Sequence, residues 1–89
     1  MKSKKIIVKG RVQGIGYRYF VRDEAGKIGI KGWVKNLSNG NVLILAQGEK
    51  TDVDDFIERV KVGNVYARID EIEIRDAGEE DLIDFQIKY

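Results

Sequence analysis

Two hydrophobic periods alternate along this chain, and their order restricts the folds open to it more than any other feature. Lys4 to Val12 alternates polar and apolar side chains, with Ile6 and Val8 on one face, as a half-buried strand does. Tyr17, Val21, Ala25 and Ile28 then recur at helical spacing, and Gly29 follows where a left-handed C-terminal cap is needed. Ile30 to Asn36 returns to a period of two, setting Ile30, Gly32, Val34 and Asn36 against Lys31, Trp33 and Lys35. Asn39-Gly40, a pair favoured in tight hairpins, separates that run from a returning strand over Val42 to Gln47. Thr51 and Asp54 have the spacing of a capping box for a second helix, whose stripe is Val53, Phe56, Ile57 and Val60 before Gly63. A strand within Val65 to Arg75 comes next. The last alternation sets Ile83, Phe85, Ile87 and Tyr89 against Asp84, Gln86 and Lys88.

The resulting order is βαββαβ with a short C-terminal strand. It predicts an α+β, ferredoxin-like sandwich: two helices on one face of a mostly antiparallel, four- to five-stranded sheet. A chain of 89 residues then forms one domain, 1–89, around one core. Cysteine is absent, so packing rather than disulfides must hold the fold. Sixteen basic and fifteen acidic side chains leave a net charge of +1, too little to draw nucleic acid or an anionic membrane to the molecule as a whole. Any anion site must be local. No apolar run approaches the ~18 residues of a membrane span, and Met1-Lys2-Ser3-Lys4-Lys5 lacks the apolar core of a secretory signal. The expectation is a cytoplasmic monomer. The Lys2-Lys4-Lys5 cluster and the Glu79-Glu80-Asp81 run read as solvated surface, and abundant Lys and Glu with twelve Ile lean toward a heat-adapted composition.

The local anion site has a candidate. Gly10-Arg11-Val12-Gln13-Gly14-Ile15-Gly16-Tyr17-Arg18 follows a strand, opens a helix and carries an arginine on its first turn. Glycines let consecutive N–H groups turn inward, the helix N-terminus adds partial positive charge, and a guanidinium offers planar donors matched to phosphate oxygens. The spacing is neither that of a dinucleotide loop, which needs a third glycine where this chain has Tyr17, Arg18 and Tyr19, nor that of a Walker loop. An arginine in a helix's first turn is ordinarily solvated, yet its charge opposes the helix dipole there, which favours a role for it.

A second motif, Gly32-Trp33-Val34-Lys35-Asn36 with Asn39 and Gly40 before Val42 and Gly48 beyond, stands in order behind the first. Together the two resemble the paired signatures of acylphosphatases, with Ile15 where valine is usual and Tyr17 where phenylalanine is usual. The resemblance implies hydrolysis of the carboxyl–phosphate bond of small acyl phosphates by direct attack of water, without metal, cofactor or covalent intermediate. It implies Arg18 as the residue that binds phosphate and stabilises the transition state, and Asn36 as the holder of the attacking water. Backbone amides of Gln13, Gly14, Ile15, Gly16, Tyr17 and Arg18 complete the cradle, and inorganic phosphate is product and inhibitor. The chemistry is consistent with a chain that has neither histidine nor cysteine, because a carboxylate leaving group of pKa near ~4 departs without a general acid. Asn39-Gly40 is only a turn in this reading.

Three other readings compete. An RNA-recognition domain shares the architecture, but the positions after Trp33 that would carry stacking aromatics are Lys35, Asn36 and Leu37. The acylphosphatase-like module of hydrogenase-maturation carbamoyltransferases shares the first signature but continues for several hundred residues. A phosphate-binding regulator without turnover would not require both Arg18 and Asn36.

Overall fold

The computed structural model describes the whole chain, Met1–Tyr89, and its elements follow the expected order. They are β1 (Lys2–Arg11), α1 (Tyr17–Ile28), β2 (Lys31–Asn36), β3 (Val42–Gly48), α2 (Lys50–Val62), β4 (Arg68–Asp76) and β5 (Phe85–Lys88). One sheet runs β4-β1-β3-β2-β5. β1 lies antiparallel to β3 and β4, β2 is antiparallel to β3, and only the β2–β5 pair is parallel. This is the ferredoxin-like α+β sandwich, with β5 as the fifth strand.

Alternation decides which side chains meet the helices. Ile6 and Val8 of β1, Val34 of β2 and Val42, Ile44 and Ala46 of β3 are buried in one cluster with Tyr17, Val21 and Ala25 of α1 and Val53, Phe56, Ile57 and Val60 of α2. These are the helix stripes read from sequence. The two helices are joined beyond apolar contact, since the Tyr17 hydroxyl donates to the Val60 carbonyl at 3.0 Å. Burial pushes the Tyr17 phenol above its ordinary range, so it stays a neutral donor. Phe85 brings β5 against Phe56, ring centres 5.9 Å apart.

Gly32 explains how β2 can lie between β3 and β5. A Cβ there would sit 1.8 Å from the Leu45 carbonyl oxygen, at a φ of 153° that other residues rarely adopt, with the Phe85 ring close by.

The structure corrects three local expectations. α2 starts at Lys50 after Glu49 in extended conformation, and no side chain caps it. The Thr51–Asp54 box does not form, because Asp54 pairs with Lys50 at 2.9 Å one turn back. β5 is shorter than its alternation, with Ile83 and Tyr89 outside it and 85% and 91% exposed. The acidic run is not wholly solvated: Glu80 exchanges backbone bonds with the Gln47 amide at 2.9 Å each, and its carboxylate accepts from Trp33 Nε1 at 3.3 Å. Trp33 lies on the sheet face away from the helices yet is 7% exposed, so it offers no open stacking platform for a base. In the basic cluster, Lys4 pairs with Asp76.

Candidate active site

β1 leaves the sheet at Arg11, and the next residues turn back to enter α1 by way of two glycines in the left-handed region, Gly14 at φ 75° and Gly16 at φ 77°. A side chain at either φ would be strained even though the space around both is open. Gly16 is also the N-cap of α1, without any side-chain cap. The first backbone bond donated after the loop runs from Phe20 N–H to the Gly16 carbonyl. The N–H groups from Gln13 to Tyr19 are therefore left without a protein carbonyl, and with the α1 dipole behind them they form a nest for an anion.

Beside this loop is a cavity of about 190 Å³, lined by Val12, Gly14, Gly16, Tyr17, Arg18, Tyr19 and Asn36. It is well above the roughly 10–15 Å³ that one water occupies by this kind of measure. Asn36 comes from the last residue of β2, paired with Val42 across the hairpin, so the cavity joins the two sequence motifs. The Asn36 Oδ1 atom is buried without a hydrogen-bond partner. An orphaned acceptor of this kind costs about 1–3 kcal/mol, which a function can justify.

Arg18 projects from the first turn of α1. Its Nη1 donates to the Lys88 carbonyl at 3.2 Å, and its guanidinium carbon lies 4.7 Å from the centre of the Tyr89 ring. Tyr89 is in turn 3.5 Å from the Tyr19 hydroxyl, which holds its phenol above the usual range. The Arg22 guanidinium lies 5.1 Å from the Tyr19 ring centre.

Six residues were expected to form the cradle. Gly14, Gly16, Tyr17 and Arg18 line the cavity, whereas Gln13 and Ile15 direct their side chains elsewhere. The Gln13 amide nitrogen donates to both the Leu37 and Asn41 carbonyls at 2.8 Å, fastening the loop to the β2–β3 turn. Ile15 packs against the core, and its carbonyl accepts from Asn64 Nδ2 at 3.1 Å. The β2–β3 turn falls where the Asn39-Gly40 pair placed it but is longer than a two-residue hairpin: Leu37 N–H donates to the Asn41 carbonyl at 2.8 Å, only Gly40 takes a positive φ, 93°, and Asn39 Oδ1 accepts from Asn41 N–H at 3.0 Å. Val12, Tyr19, Lys88, Tyr89 and Asn64 are the contributors that sequence reasoning missed. Val12 and Tyr19 flank loop residues and were open to a proximity argument; Lys88, Tyr89 and Asn64 carried no local signal. No group of three or more acidic side chains converges anywhere in the molecule as metal ligands would, and no helix is long and apolar enough to cross a membrane.

The acylphosphatase family model matches residues 4–87. Among similar sequences are acylphosphatases of Oceanobacillus iheyensis, 43% identical over 91 residues, and of Archaeoglobus fulgidus, 43% identical over 89 residues, with 100% of both chains covered in each case. A crystal structure of acylphosphatase from Bacillus subtilis superposes with a TM-score of 0.96 at 42% identity, over 100% of each chain. Full-length HypF in its phosphate- and nucleotide-bound form gives a TM-score of 0.88 at 32% identity, covering 99% of this chain but 12% of that one.

Proposed function

As a member of the acylphosphatase family this chain hydrolyses acyl phosphates to a carboxylate and inorganic phosphate, and we propose that it does so by direct attack of water on a phosphoryl group held in the Gln13–Arg18 loop. The observation that carries this mechanism is the meeting, in one cavity, of Gly14, Gly16, Tyr17 and Arg18 from the loop of unpaired amides with Asn36 from the end of β2.

In this reading the loop N–H groups and the Arg18 guanidinium bind the equatorial phosphoryl oxygens and stabilise the charge they carry in the transition state. The Asn36 amide hydrogen-bonds the attacking water and orients it in line with the scissile bond, without the negative charge that would repel phosphate. The water oxygen forms the new P–O bond as the bond to the acyl oxygen breaks. The electron pair leaves on the carboxylate, and the water's proton ends on the phosphate product or in solvent. No group of the chain needs to titrate near neutrality.

The working protein is further proposed to be a cytoplasmic, one-domain monomer that inorganic phosphate inhibits competitively. One core beneath a single sheet supports the one-domain reading, and the unpaired loop amides support competition by phosphate. The test is turnover of an aryl acyl phosphate in excess chelator beside a phosphomonoester control. Hydrolysis of the acyl phosphate alone is expected. A requirement for added divalent metal would overturn the mechanism.

A further inference from the structure

We propose that Asn64, from the connection between α2 and β4, is a positioning residue that locks the Ile15–Gly16 peptide so that the Gly16 N–H points at the phosphate; the proposal rests on the cradle reading above. Asn64 reaches across 49 residues of sequence to donate from Nδ2 to the Ile15 carbonyl at 3.1 Å. Its amide orientation is set by that contact, because a carbonyl can only accept. The Ile15–Gly16 bond is trans, as are all peptide bonds in the chain, so its carbonyl and its N–H point in opposite directions. Drawing the Ile15 carbonyl toward Asn64 therefore turns the Gly16 N–H the other way, and Gly16 is among the residues that line the cavity.

The lock is needed because the peptide sits in a permissive place. A flip of this plane rotates φ of Gly16, which already sits at 77°, and a glycine there allows the plane to turn at little cost. A flipped Ile15–Gly16 plane would present a carbonyl dipole to the anion in place of a donor. The Asn64 side chain makes no other hydrogen bond within the protein, and its Oδ1 is buried without a partner. That arrangement is unfavourable for stability alone, since Oδ1 goes unpaired while Nδ2 serves the Ile15 carbonyl.

The test uses Asn64→Ala and the near-isosteric Asn64→Leu, which keeps the bulk, loses the donor and adds no charge beside the anion site. Amide NMR follows Gly16 during titration with inorganic phosphate, and kinetics give KM, kcat and the phosphate inhibition constant. In the unsubstituted protein the Gly16 amide should move with phosphate. In both variants that response should shrink and the phosphate inhibition constant should rise about ten- to a hundredfold, the share of one charge-assisted donor. Because phosphate binding is read without turnover, this result is independent of whether acyl phosphates are cleaved as proposed. Undiminished phosphate affinity and Gly16 response in folded Asn64→Leu would overturn the role. An unsubstituted loop that ignored phosphate would overturn the cradle itself and this inference with it. If Asn64→Ala unfolds, the near-isosteric variant decides.

Discussion

Arg18 spends a single donor on the Lys88 carbonyl and lies over Tyr89, which leaves the rest of its planar fork for a ligand while limiting where the side chain can wander. Arg18→Ala should cost at least about two orders of magnitude in kcat/KM and weaken phosphate inhibition, since a bidentate charge-assisted pair is lost. Arg18→Lys should recover little, because it keeps the charge without the fork. Wild-type kinetics in Arg18→Ala would return the residue to ordinary surface. Asn36 separates chemistry from binding. Asn36→Ala should lower kcat by roughly 10² to 10³ with phosphate affinity near unchanged. Its buried Oδ1 has no partner to lose, so the melting temperature should hold or rise. A large fall in melting temperature, or a parallel collapse of phosphate affinity, would show Asn36 to be structural or phosphate-binding. Both residues were legible in sequence because each sits inside a compact motif. Asn64 was not, because its meaning lies in a carbonyl 49 residues away.

The loop and the β2–β3 hairpin behave as one unit because Gln13 ties them with two bonds. Gln13→Ala should therefore reduce stability by about 1–3 kcal/mol and also depress kcat and phosphate affinity together, since the cradle and Asn36 lose their common register. Denaturant unfolding and inhibition by phosphate on one preparation check both arms; intact kinetics in a destabilised variant would show the tie to be only structural. At this scale the helix stripes and the hairpin were readable, since periodicity and the Asn39-Gly40 pair act within a few residues. The capping box misled for a complementary reason: Thr51 and Asp54 have the right spacing, but Lys50 draws Asp54 into an ion pair inside a helix that begins two residues before a Thr51 cap would start it. The C-terminal alternation overran the strand because β5 has only β2 as a neighbour, and their pairing covers Gly32 to Lys35, one residue short of each end of β2.

The whole molecule depends on a core without disulfides, and Phe56 is its fully buried link between α2 and β5. Phe56→Ala should cost about 3–5 kcal/mol, which in a domain of this size lowers the melting temperature by roughly 15 °C or more. A shift of only a few degrees by calorimetry would mean the site collapses around the missing ring. The sequence by itself determined the βαββαβ order, the faces of both helices and the two motifs that hold Arg18 and Asn36, because hydrophobic period, turn chemistry and motif spacing are properties of neighbours along the chain. Tertiary structure alone decided that the motifs share one cavity, that Gln13 and Asn64 grip the loop from two sides, that Arg18 leans on Lys88 and Tyr89, and that Trp33 is sealed by Glu80. The hydrogen bonds among those span 24 to 70 residues of sequence, and their partners are chosen by strand order and register rather than by anything written beside them.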